Sequence, residues 1–268
     1  MTPGQRDPLA SSQESSWDPD QYARFARQRE QPFWDLCALL DPADSPKVVD
    51  LGCGDGRLTS ELHRRLDAAS TTGIDSSPTM LESARGRGGE RLRFVAGDIS
   101  TWSGENMDIV VCNAALHWVP DHAAVLGRWR DSLAPGGQLA VQMPTNADHP
   151  SHRVIDSLAA EWLGAQAPPD PVVEHVEAPE WYSQTLYDLG LERQHVRMQV
   201  YGHLLDATAD VVEWTKGTSL TRFKPLLAAD RYEEFVDEYR RRLVAELGDR
   251  RPYFYTFKRI LMWGALPR

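Results

Sequence analysis

From residue 47 onward, short apolar runs alternate with stretches whose apolar residues recur every three to four positions. The runs at 47–51, 71–75, 91–96, 108–112 and 138–143 have the length of buried strands. Between them, 57–67, 77–86 and 120–133 carry helical spacing. Strands and helices in this succession predict an α/β fold, with a mostly parallel sheet and helices on both faces. Pro135-Gly136-Gly137 predicts a sharp turn ahead of the fifth strand.

The pattern changes after residue 150. Helical spacing returns at 151–164 and 179–189, and a strand-like run covers 193–203. Tyr232, Phe235, Val236, Tyr239, Leu243 and Leu247 mark one face of a long helix over 226–247. The aromatic and apolar run from Tyr253 to Ala265 predicts a closing strand. At the other end, residues 1–15 are rich in Ser, Gln and Pro and predict a disordered tail. Asp18 as N-cap and Pro19 at the first helical position predict a helix carrying Tyr22, Phe25 and Ala26. Pro32 is expected to open a second helix through Leu40. The organisation expected is a tail at 1–15, an α/β domain over 16–205 and 250–268, and a helical cap inserted at 206–249. Caps of this kind cover small-molecule sites and exclude water.

Composition narrows the function. The chain has 268 residues, 41% of them hydrophobic and 25% charged, which suits one globular domain with an insertion. No run approaches the roughly 18 apolar residues that span a bilayer. No basic region followed by an apolar stretch marks a signal peptide. Cys37, Cys53 and Cys112 are odd in number and dispersed, as expected of a reducing, cytoplasmic setting. A net charge of −10 disfavours nucleic acid as a partner. Arg240-Arg241-Arg242 lies within a helical pattern and reads as a solvated face. His149-x-x-His152 lacks further ligands, so no metal site is expected. The expected state is monomer or homodimer.

The densest chemical signal is Val48-Val49-Asp50-Leu51-Gly52-Cys53-Gly54-Asp55-Gly56. It reads as a strand ending in an acidic residue, then a glycine-rich turn, then a helix starting near Arg57. Glycines at alternate positions let backbone approach a ligand where a Cβ would collide. The helix start aims its N–H groups at the same place. A dinucleotide fingerprint needs its third glycine where Arg57 stands, so NAD is not the expected ligand. D-x-G-C-G-x-G looks instead like the first motif of class I S-adenosylmethionine (SAM)-dependent methyltransferases. Asp50, Gly52, Cys53 and Gly54 are the candidate cofactor residues of this loop.

Further candidates fall at the ends of successive strands. Asp75 can accept both ribose hydroxyls, with Ser76 beside it; its other reading is an N-cap for the helix beginning at Ser77. Asp98 can accept from an adenine amino group while Ile99 packs on the ring, and Met80 can cover the other face. Asn113 faces the same crevice, where its carbonyl or backbone meets the methionine end of the cofactor.

The resemblance extends to one family. Trp17-Asp18-Pro19 with Tyr22, Phe25, Arg29 and Pro32 resembles the N-terminal helix of trans-aconitate 2-methyltransferases. So do Gly73-Ile74-Asp75-Ser76-Ser77-Pro78, the run Asn113 to His122, and Leu139-Ala140-Val141-Gln142-Met143-Pro144. Tyr201-Gly202-His203, Trp214 and Phe257-Lys258-Arg259 continue the match, which covers about residues 16–264. Three places depart from it. Asp55 stands where the family usually has Pro, and His117 where many members have Gln. Leu220-Thr221-Arg222 differs locally. The resemblance implies the doubly wound, Rossmann-like class I methyltransferase fold with an N-terminal helical lid. It also implies SAM as cofactor and methylation of a carboxylate of trans-aconitate.

A carboxylate acceptor is ionised at neutral pH and needs no general base. It needs cations, and the arginine fork is the better donor. Arg29, Arg222 and Arg259 are the candidates, with Trp17, Tyr22 and Trp118 as pocket walls. His117 is a candidate base for a hydroxyl or amine acceptor. The expected function is therefore carboxyl O-methylation of a small polycarboxylic acid. A class I methyltransferase on another metabolite and a SAM-binding regulatory protein without turnover are the alternatives.

Overall fold

A computed structural model describes residues 26–268, with side chains from Glu30 onward. The expected tail, the helix start at Asp18-Pro19, and the residues Trp17 and Tyr22 lie outside the described residues. Helix α1 (Ala26–Cys37) runs through Pro32 instead of starting at it. Proline inside a helix forfeits one backbone hydrogen bond. Phe33 and Leu36, fully buried against the sheet, hold the helix across that gap.

Seven strands form one sheet: β1 (Lys47–Leu51), β2 (Ser70–Asp75), β3 (Leu92–Ala96), β4 (Met107–Asn113), β5 (Leu133–Pro144), β6 (Arg193–Leu205) and β7 (Tyr253–Ala265). Their order is β3-β2-β1-β4-β5-β7-β6. The first five are parallel, and β7 runs antiparallel between β5 and β6. Helices α2 (Arg57–Arg65), α3 (Pro78–Arg85) and α4 (His122–Asp131) make the crossovers. The doubly wound, mostly parallel architecture expected from the alternating pattern is the one observed. Its order reverses between β1 and β4, which places a crevice over the carboxyl ends of these strands.

The expected turn at Pro135-Gly136-Gly137 is instead a bulge inside β5. Leu133 pairs with Met107, and the next pairs start at Gln138 and Ile109. Gly136 takes φ +75° and donates its N–H to Pro267 O. A bulge absorbs the extra residues without ending the strand.

Past β5 come α5 (Pro150–Leu163), α6 (Pro171–His175), α7 (Pro179–Asp188), α8 (Asp210–Lys216) and α9 (Ala229–Leu247). Tyr182 and Leu186 of α7 join Trp129 of α4 and the apolar strand residues in the core on one sheet face. Helices α1 and α2 cover the other face. A separate core unites α5, α8 and α9 with Leu205, Tyr253, Tyr255 and Phe257. These last four belong to the stretch where β6 and β7 extend beyond β5.

Candidate cofactor and acceptor site

The loop after β1 adopts left-handed backbone at Gly52 (φ +81°), Gly54 (φ +56°) and Gly56 (φ +73°). The three glycines serve different ends. A Cβ on Gly52 would lie 2.2 Å from Ala115 Cβ, and one on Gly56 would lie 2.5 Å from the Phe94 ring. On Gly54 it would meet nothing within 4 Å. The expectation that alternate glycines all make room for a ligand is therefore corrected: two make room for protein, and Gly54 alone faces open space. Gly52 N–H (2.8 Å) and Cys53 N–H (3.0 Å) donate to Ile74 O and fix the loop to β2. Helix α2 starts at Arg57 as expected. Asp55 Oδ1 accepts from Arg57 N–H at 3.1 Å, filling the cap that Gly56 cannot supply. Arg57 also pairs with Glu30 of α1 at 2.9 Å, which ties that helix to the loop.

Asp75, at the end of β2, accepts from Gly54 N–H and from Ser77 N–H, each at 2.8 Å. Each oxygen keeps a lone pair for a ligand. The cap of α3 is Ser77, whose Oγ accepts from Met80 N–H at 3.4 Å. Ser76 is exposed and Met80 half-buried. Asp98 is exposed, with Oδ1 accepting from Ser100 N–H. Ile99 is buried, and its carbonyl accepts from Trp129 Nε1. Gly54, Asp75 and Asp98 thus follow the carboxyl ends of three adjacent strands.

Asp50 sits beneath the loop. Its Oδ2 accepts from Thr59 Oγ1 at 2.6 Å, and Oδ1 is buried without a partner. Burial, with a smaller push from the Asp75 charge, raises its carboxyl to about 6 against the pull of the Thr59 hydrogen bond. Cys53 is buried beside it, and burial pushes that thiol far above its ordinary range.

Across the other lip of the crevice runs a polar row. Gln142 of β5 is fully buried. Its Nε2 donates to Asn113 Oδ1 at 2.6 Å, and its Oε1 accepts from Arg259 at 2.8 Å. The Arg259 guanidinium also lies over the Phe257 ring, 4.9 Å from its centroid. Arg29 belongs to α1, but its side chain lies outside the described ones.

His117 follows β4 in a short 3-10 turn and is buried; the Trp118 ring lies against it, tilted by 40° with centroids 4.8 Å apart, and is 48% exposed. Burial above all, then the charge of Arg259, lowers the His117 imidazole to about 3. It is neutral near pH 7 and a weak base, which speaks against the general-base role.

The Arg222 side chain is buried. It pairs with Asp156 of α5 and lies 3.3 Å from Asp170, whose Oδ2 also meets His152 Nδ1 at 3.1 Å. Arg222 is thus already compensated by two carboxylates, unlike the spare cation expected of an anion anchor. Burial raises Asp170, but the His152 hydrogen bond and the charges of His152 and Arg222 outweigh it and hold the carboxyl down to about 2. Gln142, His152 and Asp170 had no role in the sequence reading. Gln142 could have been found as the one polar residue in the run Leu139–Met143. His152 was weighed only within His149-x-x-His152, and its contact with Asp170, 18 residues on, forms only through folding.

A sheet of this order, with open space at one loop glycine and carboxylates at successive strand ends, has the architecture of class I SAM-dependent methyltransferases. Residues 48–137 match the family described as a methyltransferase domain. Over 261 residues the chain is 38% identical to trans-aconitate 2-methyltransferase from Deinococcus radiodurans, spanning 94% of this chain and 99% of that protein. The trans-aconitate 2-methyltransferase of Streptomyces avermitilis is 42% identical over 238 residues, spanning 85% and 88%. The chain belongs to the trans-aconitate 2-methyltransferase family. Its fold is shared with Haemonchus contortus phosphoethanolamine N-methyltransferase 2 in complex with SAM, at a TM-score of 0.57 and 15% identity over 97% of this chain and 61% of that one.

Proposed function

We propose that this methyltransferase esterifies a carboxylate of a small polycarboxylic acid, trans-aconitate foremost. The carrying observation is Arg259, seated on the crevice side of the sheet and joined through Gln142 to Asn113, in a chain related over its whole cap to enzymes of that name. SAM supplies an electrophilic methyl group on a sulfonium. Gly54 gives it backbone room, Asp75 takes the ribose hydroxyls with Ser76 alongside, and Asp98 takes the adenine amino group between Ile99 and Met80. Asp50, Gly52 and Cys53 hold the loop in shape.

The acceptor carboxylate is ionised at neutral pH, so no base is required. The protein's task is to hold one oxygen in line, about 3 Å from the methyl carbon, and to keep water out. Arg259 and Arg29 hold the acid, and Trp17, Tyr22 and Trp118 wall the pocket. Arg222, compensated by Asp156 and Asp170, contributes least. The segment 206–249 acts as the cap over the α/β domain, with residues 1–15 as a tail. No helix among the described residues is long and apolar enough to cross a membrane. We place the protein in the cytoplasm, as a monomer or homodimer without nucleic-acid partners.

The test is incubation with methyl-labelled SAM and a panel of small acids, scored for base-labile esters. Esterification of trans-aconitate is expected, with KM for the acid raised by Arg259→Ala. Asp75→Ala should weaken SAM by about 1.5–3 kcal/mol in calorimetry, the worth of hydrogen bonds to a charged group. Stable methylation of a hydroxyl or amine, abolished by His117→Ala, would replace this reading with the second one.

A further inference from the structure

Arginine only donates hydrogen bonds, whereas each side-chain amide donates at one end and accepts at the other. That difference sets a direction along the polar row. The atom of Gln142 that meets the Arg259 guanidinium at 2.8 Å must be its oxygen. Its amide nitrogen therefore faces Asn113, and the atom it meets at 2.6 Å must be the Asn113 oxygen. The orientation of both amides, which electron density alone rarely decides, is dictated here by one cation.

The sheet holds this row in place. Asn113 and Gln142 are directly opposite each other in the β4–β5 register, and Arg259 is opposite Pro144, two residues further along β5. All three side chains share one sheet face. Gln142 is fully buried. Reversing its amide would set nitrogen against guanidinium and oxygen against oxygen, and both contacts would be lost.

We infer that Gln142 is a positioning residue that locks Asn113 as a hydrogen-bond donor, with Nδ2 turned to a carboxylate oxygen in the crevice. Asn113 then does not offer its carbonyl to the cofactor's ammonium group. Two carboxylates can occupy that place: the one on the methionine end of SAM, and the acceptor's. The second rests on the proposed function; the first does not.

The test uses the full chain and four variants: Gln142→Glu, Gln142→Met, Asn113→Ala and the Asn113→Ala, Gln142→Glu pair. Gln142→Glu places acceptor oxygens at both ends, so Asn113 must turn its nitrogen inward and show its oxygen to the crevice. Gln142→Met keeps the volume and fixes neither neighbour. SAM affinity is read by calorimetry and the acid by its KM, with thermal unfolding as control. Gln142→Glu should lose about tenfold to a hundredfold, the span of one hydrogen bond to a charged group. The loss falls on SAM affinity if the cofactor carboxylate is the partner, and on the acid's KM if the acceptor is. Gln142→Met should lose less in the same quantity. In an Asn113→Ala background, Gln142→Glu should add little further loss. Wild-type values for both ligands in Gln142→Glu, or an undiminished loss in the Asn113→Ala background, would overturn the inference. A wild-type protein that binds SAM yet esterifies no acid defeats the acceptor reading alone, and SAM affinity then decides the role of Gln142.

Discussion

The glycine loop at 52–56 and the buried charge cluster around Arg222 are held in shape by opposite means. The loop uses contiguous backbone: three left-handed glycines, one of them facing open space. The cluster uses side chains from separate segments, with His152 and Asp156 on α5, Asp170 ahead of α6, and Arg222 in the turn at Thr221–Phe223. Backbone geometry costs strain locally and tolerates no Cβ. Buried charges cost desolvation and tolerate no missing partner. The two regions should therefore fail differently when altered.

The largest effect is expected at Asp170. Its side chain is 3% exposed and that of Arg222 8%. Asp170→Ala leaves His152 Nδ1 with the longer contact to Ser219 Oγ at 3.5 Å and takes one of two carboxylates from Arg222, a loss of about 3–5 kcal/mol for a broken buried pair. Urea unfolding showing a change under about 1 kcal/mol would mean that the cluster is solvated and the contrast with the loop is false.

Gly52→Ala comes next. It combines left-handed strain of about 1–2 kcal/mol with overpacking against Ala115 of about 1–3 kcal/mol. Gly54→Ala meets no neighbour, so its stability loss is the strain alone, and its main effect falls on SAM affinity. Equal stability losses in the two variants would erase the distinction between packing and ligand glycines.

The two unusual carboxyls should pull stability in opposite directions with pH. Asp170, held down to about 2, adds stability that is present above its ordinary pKa of 3.8 and lost as pH falls through about 2. Asp50, raised to about 6, does the reverse: the folded state holds its proton between 3.8 and 6, so stability falls as pH rises through that window. At 1.36 kcal/mol per pKa unit, Asp50→Asn should stabilise the ligand-free protein by about 3 kcal/mol at pH 7.5. The gain should vanish below pH 4. A gain independent of pH would point to packing instead of ionisation.

The smallest effect tests the loop's departure from its family. Asp55→Pro removes the hydrogen bond to Arg57 N–H and an exposed ion pair with Arg87 at 3.5 Å. Exposed pairs contribute little, so the change in melting should correspond to less than about 1 kcal/mol.

What the sequence revealed follows the same division. Strand positions, the helix start at Arg57 and the carboxylates Asp75 and Asp98 were legible because each rests on neighbours in the chain. Pro32 misled because burial of Phe33 and Leu36 outweighs one missing hydrogen bond. Pro135-Gly136-Gly137 misled because a bulge and a turn share the same residues, and only pairing with β4 separates them. Arg222 was found, but its compensation by Asp156 and Asp170 was not, since those partners come from distant segments.

The place of β7 has a consequence for synthesis. The strand made last among the seven lies inside the sheet, between β5 and β6. A growing chain emerges at roughly 5–20 residues per second. Through all the time that 206–252 takes to appear, β5 stands as an open edge and β6 lacks its sheet neighbour, β7. The nascent protein must therefore carry one half-paired strand, one unpaired strand and an unshielded apolar face until residues 253–265 leave the ribosome. A chain broken off before Tyr253 keeps the glycine loop but never closes its sheet, which makes it a client for chaperones and proteases instead of a smaller enzyme.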